Sequence, residues 1–178
     1  MEAALRVLNE LVAAGIIGKY AIGGAVGAIY WVEPFDTVDL DIFVVLPSAS
    51  LLEPLRDVFE SLKARGYAFE GEFIVVEGIP VQFIPAEDPK GLRHAALENA
   101  IPIRYQGDSG DVQTWVLSPE YLIALALDVH RSKDYDRVSR LLTEAKPDRE
   151  VVQQLITTFE LTSSWEVFLR RYPEFTNS

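Results

Sequence analysis

The sequence predicts an α/β (α+β) fold in which a mixed, partly antiparallel sheet with flanking helices is followed by a C-terminal helical bundle. Three observations lead to this prediction. Short β-rich runs alternate with amphipathic helices as far as residue 117, only helical patterns follow, and 49% of the 178 residues are hydrophobic, which is enough for a sizeable core. We therefore expect an α/β domain at residues 1–117 and a helical region at residues 118–178.

The first predicted elements surround a glycine turn. An amphipathic helix carries Leu5, Leu8, Leu11 and Val12 on one face and ends at Gly15. The segment KYAIGG then predicts a short strand that ends in a glycine turn, and AVGAIYW predicts a short apolar helix. The segment TVDLDIFVVL predicts the next strand. Its alternation places one set of residues on one face and a second set on the other, namely Val38, Leu40, Ile42 and Val44 against Asp39, Asp41, Phe43 and Val45.

The remaining elements complete the sheet and then change to helices. A helix over SLLEPLRDVFESLKA ends at Gly66, and FEGEFIVVEGIPVQFIPA predicts two strands joined at Glu77 and Gly78. A further helix and two more short strands follow. Ser118 as N-cap and Pro119 at the first helical position then begin a helix, and three more helical segments predict a bundle.

Composition excludes several classes of function. The chain has no cysteine, which excludes disulfides, thiolate metal sites and a cysteine nucleophile and suits a reducing cytoplasm. No apolar run approaches the ~20 residues of a membrane-spanning helix, and the acidic N-terminal segment does not resemble a signal peptide. A net charge of -11 argues against a broad nucleic-acid surface, although a local basic pocket fits the sequence. We therefore expect a cytoplasmic protein without a membrane partner.

Asp39 and Asp41 are the first candidate functional residues, because they lie two apart on a predicted strand. Aspartate is depleted in strands, so the pair needs an explanation. One alternative is that both carboxylates lie on the solvent face of an edge strand. The other is a site for a hard divalent cation such as Mg²⁺, which takes oxygen ligands and shares them with substrate phosphates.

Gly23 and Gly24 strengthen the second alternative. They close a predicted strand and open a predicted helix. A glycine turn lets the backbone approach a phosphate closely, and the start of a helix offers free N–H groups. A phosphate cradle and a cation pair close together in sequence are what phosphoryl or nucleotidyl transfer requires.

The residues IGG, a spacer of 14 residues and then DLDIFV resemble the signature of the nucleotidyltransferase superfamily, which has the DNA polymerase beta-like fold. The spacer is at the long end for that pattern. A second segment, LALDVHRSKDYDRVSRLL, is similar to a helical motif of bacterial small nucleotidyltransferases of the AbiEii-like type. Lys133, Asp134 and Asp136 carry this resemblance, with a spacing one residue shorter than the strictest form.

The resemblance implies a metal-dependent nucleotidyltransferase that moves a nucleoside monophosphate from an NTP to RNA, a protein or a small molecule. Asp39 and Asp41 would hold two Mg²⁺ ions, or Mn²⁺, and Gly23 and Gly24 would seat the β- and γ-phosphates. Lys133 would neutralise phosphate charge. Two further cations, Arg131 and Arg137, would assist it in binding the nucleotide. Resemblance to toxin components also implies a toxin–antitoxin system with an antitoxin partner.

One residue departs from the superfamily pattern. Active members carry a third carboxylate on a later strand, and the corresponding residue here is Gln82, which offers only a neutral amide oxygen. Three alternatives remain open. Glu77, Glu72 or Glu70 supplies the missing acid; Gln82 suffices for one metal ion; or the protein is a catalytically impaired module that binds a nucleotide or a protein partner without transfer.

Three further side-chain groups have alternative roles. The cations Arg131, Lys133, Arg137 and Arg140 bind phosphate or pair with Asp134, Asp136 and Glu144. We expect Asp136 to orient Lys133 or to cap its helix rather than to bind metal. Tyr30 and Trp31 follow the glycine turn, where they could stack on a base, but packing in the core suits them better.

Overall fold

Helices and strands alternate as far as residue 116, in a computed structural model that describes residues 1–37, 39–47, 53–71 and 73–176. The strands are β1 (Tyr20–Ile22), β2 (Leu40–Val44), β3 (Ala68–Glu70), β4 (Phe73–Val76), β5 (Ile79–Pro85), β6 (Ile101–Tyr105) and β7 (Val112–Val116). The helices are α1 (Glu2–Ala13), α2 (Gly24–Ile29), α3 (Arg56–Ala64), α4 (Leu92–Glu98), α5 (Pro119–Val129), α6 (Ser132–Arg140), α7 (Arg149–Thr158) and α8 (Thr162–Arg171). A π-helical turn (Leu141–Ala145) continues α6, and a 3₁₀ turn (Pro173–Phe175) follows α8. Within the described ranges, no helix is long and apolar enough to cross a lipid bilayer.

The seven strands form one mixed sheet in the order β3-β4-β5-β2-β1-β7-β6. The pairs β2/β5 and β1/β7 are parallel, and the other neighbours are antiparallel. This arrangement confirms the predicted α/β class with a partly antiparallel sheet. It also shows that β2, which carries Asp41, lies at the centre of the sheet. The edge-strand alternative for Asp39 and Asp41 is therefore wrong.

Both faces of the sheet are covered by helices. On one face, Leu40 and Ile42 of β2 pack in a core with α1 and α3. On the other face, Phe43 belongs to a second core that also contains residues of α4 and of the C-terminal helices, including the fully buried Phe168. This second core joins residues on both sides of position 117, and the division into two regions at that position stays a prediction.

The sheet differs from the prediction at its outer edge. The stretch FEGEFIVV, predicted as one strand, forms β3 and β4, which pair antiparallel. Gly71 between them has a φ of +64, which glycine adopts without strain, so the chain reverses there. The predicted hairpin at Glu77 and Gly78 is confirmed, with φ values of 51 and 76 that suit a two-residue turn between β4 and β5.

Two predicted boundaries also change. Regular strand structure in TVDLDIFVVL is confined to β2, and Val38 lies outside the described residues. The helix predicted from residue 50 begins at Arg56 in the structure, while residues 48–52 lie outside the described ranges. Pro54 and Leu55 precede the first helical residue, which is where a proline is tolerated because the first N–H groups of a helix have no partner.

Candidate functional site

A cavity of about 530 Å³ lies between the sheet and α6. Its walls come from four parts of the chain: one residue of α2, the segment before and within β2, one residue of β5, and the N-terminal half of the helical region. The lining residues are Ala25, Phe35, Asp36, Thr37, Asp39, Asp41, Gln82, Arg131, Lys133, Asp136, Arg137 and Arg140. The structure thus brings together the sequence-predicted Asp39, Asp41, Gln82, Lys133, Arg131 and Arg137.

Asp39 and Asp41 reach the cavity because strand residues alternate between the two faces of the sheet. Leu40 and Ile42 are fully buried in the core on the opposite face, and this burial fixes the register of β2. Asp39 lies just before the strand and accepts a hydrogen bond from Thr37 Oγ1 at 3.4 Å. Both aspartates are half-buried. The alternation of apolar side chains is therefore what aims the two carboxylates at one cavity.

The electrostatic environment of Asp41 is unfavourable for its charged form. Burial and then the neighbouring charge of Asp39 raise the pKa of Asp41 from 3.8 to about 6. Arg137, Arg131 and Lys133 act in the opposite direction and lower this pKa. Two carboxylates that repel each other in a partly desolvated cavity form a place where a bound cation is stabilising.

Gly24 lies against Asp41 at the start of α2. Its φ is +55, and a Cβ atom at this position would be 1.7 Å from Asp41 Oδ2. Gly23 donates its backbone N–H to the Asp41 carbonyl at 2.9 Å, and a Cβ there would be 2.3 Å from the Phe43 ring. Both glycines are therefore needed for the close approach of α2 to β2. That they also seat phosphates stays a prediction from the resemblance.

Gln82 is the direct neighbour of Asp41 on the parallel strand β5. The two side chains lie on the same face of the sheet, and both line the cavity. Gln82 is half-buried, and its amide oxygen is a neutral ligand. Among the described residues, no group of three or more Asp, Glu, His or Cys side chains is arranged to hold a metal ion.

Two of the three glutamates proposed as replacements, Glu70 and Glu77, do not line the cavity. Glu77 is exposed in the β4–β5 turn, and its carboxylate accepts a hydrogen bond from Tyr67 Oη at 2.6 Å. Glu70 ends β3, the outermost strand on that side of the sheet, and is exposed. Glu72 lies outside the described residues. The structure therefore corrects the alternative in which Glu77 or Glu70 supplies the third acid, because hairpin geometry turns both away from Asp41.

The opposite wall of the cavity is basic and is organised by a buried acid. Asp134 is 1% exposed and accepts hydrogen bonds from Arg131 Nε at 2.8 Å and from Arg137 Nη1 at 3.5 Å. It also accepts the backbone N–H of Arg131 at 3.1 Å and so closes a capping box at the start of α6. The expectation that Asp136 caps this helix or orients Lys133 is wrong, because Asp134 provides the cap and Asp136 makes other contacts. Asp136 instead pairs with Arg171 at 3.0 Å and accepts a hydrogen bond from Tyr172.

Two cations of this wall retain unused donors. Lys133 is exposed and has no ion-pair or hydrogen-bond partner in the part of the chain that the structure describes. The Nε atom of Arg137 is buried without a hydrogen-bond partner among the described residues, and burial lowers the pKa of this side chain. Arg131 is more exposed, and its hydrogen bond to Asp134 raises its pKa. A cavity with acids on the sheet and unsatisfied cations on the facing helix suits a polyanion that carries a divalent cation.

Sequence reasoning missed the segment that enters β2. Phe35, Asp36 and Thr37 line the cavity, while Tyr30 and Trp31, considered for base stacking, do not. Trp31 donates its indole N–H to the Leu117 carbonyl at 3.0 Å and packs between the two cores, as core packing predicts. The same expectation is wrong for Tyr30, which is 39% exposed. The sequence does contain one feature that could have identified Phe35. It lies four residues before Asp39, which is close enough to reach the same site.

Comparisons with known proteins support the fold. No protein-family model matches the sequence, and no curated protein matches it. Among solved structures, the chain resembles an antigenic nucleotidyltransferase-like protein from Paracoccidioides brasiliensis, with a TM-score of 0.63, 12% identity, and coverage of 99% of this chain and 89% of that one. It also resembles the antibiotic-resistance factor ANT(2'')-Ia, with a TM-score of 0.49, 12% identity, and coverage of 96% and 97%. The first of these similarities shows that the chain has a nucleotidyltransferase-like fold.

Proposed function

We propose that the protein transfers a nucleoside monophosphate from an NTP to an acceptor hydroxyl. The observation that carries this proposal is the pair Asp39 and Asp41 on the sheet, opposed by Arg131, Lys133 and Arg137 across one cavity. In the reaction, the acceptor oxygen forms a bond to the α-phosphorus, and the bond to the bridging oxygen of the β-phosphate breaks. Pyrophosphate then leaves.

The residues of the cavity fit one Mg²⁺ ion, which Asp39 and Asp41 would hold. Magnesium sites commonly use one or two carboxylates together with substrate phosphates and water, so a third acid is not required for one ion. When bound, the ion supplies positive charge at the phosphates and lowers the pKa of a coordinated hydroxyl. Burial and then the charge of Asp39 raise the pKa of Asp41, and an ion held by both carboxylates would offset the repulsion between them.

The helical wall binds the triphosphate in this proposal. Asp134 holds the guanidinium groups of Arg131 and Arg137 in place, so less conformational freedom is lost when they bind phosphate. Lys133, which has no partner among the described residues, is available as a mobile point charge. The acids and cations thus act on the same triphosphate from opposite sides.

A second function is a nucleotide-binding or partner-binding module without catalysis. Gln82 favours it, because the neighbour of Asp41 in the sheet is neutral where the superfamily pattern has an acid. In this case the cavity would bind NTP with one Mg²⁺ ion, and no pyrophosphate would be released.

The resemblance of the segment around Lys133 supports a finer proposal, an AbiEii-like toxin with an antitoxin partner. An RNA or protein acceptor belongs to this proposal, whereas a small-molecule acceptor fits the general one. The net charge of -11 restricts an RNA acceptor to contact near the basic wall, because phosphates are repelled elsewhere. Incubation with labelled NTP and each class of acceptor would separate these cases.

Calorimetric titration with non-hydrolysable ATP and GTP, with and without Mg²⁺, tests the proposal. We expect Mg²⁺-dependent binding to the wild type and its loss in the Asp39→Asn/Asp41→Asn double variant. The matched control is Asp111→Asn, an exposed aspartate in a long ion pair of 3.9 Å outside the cavity, which should bind as the wild type does. Absence of nucleotide binding to the wild type would overturn nucleotidyl transfer and the nucleotide-binding module, and would leave only a partner-binding module.

Catalysis and binding are then separated by the product. Pyrophosphate released from NTP by the wild type in the presence of acceptor supports transfer. If the wild type binds NTP but releases none, and Gln82→Asp does release it, the non-catalytic module is the correct function. The Gln82→Asp variant restores the acid next to Asp41 without changing the strand pairing.

A further inference from the structure

We propose that Phe35 and Arg140 form a stacking platform for the nucleobase of the bound NTP, an assignment that rests on the proposed function. Phe35 lines the cavity of Asp39 and Asp41. The guanidinium carbon of Arg140 lies 4.8 Å from the centroid of its ring, in the range of a cation–π contact. One face of the ring is therefore supported, and the ring itself forms part of the cavity wall.

Hydrogen bonds fix the Arg140 side of the platform. Arg140 donates from Nε to Glu144 Oε1 at 3.0 Å and from Nη2 to the Glu33 carbonyl at 2.8 Å. Glu144 Oε2 in turn accepts the backbone N–H of Glu33 at 2.7 Å. These three contacts join the segment before β2 to the end of α6. A surface held in this way loses little conformational freedom when a planar ligand stacks on it.

The side chains that line the cavity favour a ligand that carries a nucleobase. Apart from Ala25, Phe35 is the only apolar side chain that lines it among the described residues, and the other side chains are charged or polar. A flat apolar patch in a charged cavity suits a ligand with a planar ring at one end and several negative charges at the other. A nucleoside triphosphate has both features, and every base offers a π-face for stacking.

The distance along the chain is compatible with one ligand reaching both parts. Phe35 and Asp39 are four residues apart, and an extended chain spans at most about 14 Å over four residues. Phe35, Asp39 and Lys133 also line the same cavity, so one molecule can place its base on Phe35 and its phosphates near Asp39 and Lys133. The polar residues Asp36 and Thr37 lie next to Phe35 in the same wall, where they are available to the edge of the base or to the ribose.

The test compares ligands with and without a base. Binding of Mg²⁺ complexes of ATP, GTP, CTP and UTP, and of inorganic tripolyphosphate, is measured on the wild type, Phe35→Ala and Phe35→Trp. We expect Phe35→Ala to weaken nucleotide binding by roughly five- to hundredfold, the range reported for loss of one base–aromatic stack. Purines should lose more than pyrimidines because they stack over a larger area. Tripolyphosphate binding should not change, and Phe35→Trp should retain nucleotide binding.

Phe69→Ala is the matched control. Phe69 also carries a cation, with Lys63 Nζ at 5.0 Å from the ring centroid, but it lies on β3 outside the cavity. Its loss should leave nucleotide affinity unchanged. The inference is overturned if Phe35→Ala binds nucleotides like the wild type, or if it loses tripolyphosphate to the same extent, while the proposed function survives both results. If the wild type binds neither nucleotides nor tripolyphosphate, the proposed function fails as well.

Discussion

Asp41 combines two properties that conflict in a protein without a bound cation. It is half-buried beside Asp39, and the apolar residues that flank it fix its position on the central strand. The pKa of Asp41 is therefore raised to about 6, so the ionised carboxylate present at neutral pH opposes folding. In the proposed function, a cation bound by Asp39 and Asp41 offsets this cost.

The stability of the apo protein should depend on the ionisation of Asp41. Between pH 3.8 and about 6 the folded protein holds a proton that the unfolded chain has lost, so stability falls as pH rises through this window. Asp41→Asn removes the effect and should stabilise the protein by up to about 3 kcal/mol above pH 7, with no difference near pH 3.5. Urea unfolding of the wild type and of Asp41→Asn across this pH range measures the difference in their free energies of unfolding. Mg²⁺ should raise the melting temperature of the wild type at pH 7.5 and leave that of Asp41→Asn unchanged.

Gly24 allows the close contact between α2 and Asp41. The variant Gly24→Ala should lower stability through two effects, the steric contact with Asp41 and the strain of a positive φ, and a control variant can separate them. The matched control is Gly91→Ala, because Gly91 also has a positive φ, of +72, but no atom lies within 4 Å of the added Cβ. We expect Gly91→Ala to cost about 1 kcal/mol from the left-handed conformation alone. Gly24→Ala should cost at least about 2 kcal/mol more and also abolish Mg²⁺-dependent NTP binding. Equal costs in chemical denaturation would show that the contact with Asp41 is not tight.

At the scale of elements, α6 positions the basic wall through its first turn. Asp134 is the third residue of the helix, and its carboxylate binds the backbone at the helix start and the side chains of Arg131 and Arg137. A buried acid at the N-terminus of a helix is also favoured by the helix dipole. The geometry of the two arginines therefore depends on one buried side chain that does not itself line the cavity of Asp39 and Asp41.

The two acids of this helix should differ sharply in their effects on stability. Asp134→Ala leaves the half-buried Arg137 without its ion-pair partner and removes the helix cap, so we expect a loss of about 3–5 kcal/mol. Asp136→Ala breaks an exposed pair with Arg171 and should cost no more than about 1 kcal/mol. The free energy of unfolding in urea gives both values. A small cost for Asp134→Ala would show that the arginines do not need this acid.

Local patterns predicted most elements and paired Asp39 with Asp41, because alternation and capping are encoded in adjacent residues, whereas Lys133 was added to this pair only by the resemblance to nucleotidyltransferases. They did not predict that β2 is central, since the position of a strand in a sheet depends on pairing with β1 and β5. They assigned the orienting role to Asp136 because spacing alone does not show which acid is buried. Phe35 was missed because its cation–π partner Arg140 is distant in sequence.

At the scale of the whole molecule, the C-terminal helices complete both a core and the cavity. Phe43 and Ala21 of the sheet belong to the same buried cluster as Leu122, Leu127 and Phe168. The basic wall, from Arg131 to Arg140, also comes from this half of the chain. Stability and the proposed function therefore depend on the same packing of the helices against the sheet.

Truncation after residue 117 tests whether the predicted α/β region is an independent domain. Removal of the helices would expose Phe43, Leu117 and the apolar face of α4, which are buried in the full chain. We expect the fragment of residues 1–117 to bind a hydrophobic dye, to show no cooperative unfolding transition and to lose NTP binding, because a sheet with one uncovered apolar face is not stable alone. A cooperative transition in the fragment, measured by circular dichroism, would establish two domains. NTP binding by such a fragment would further show that the acids of the sheet suffice without the basic wall.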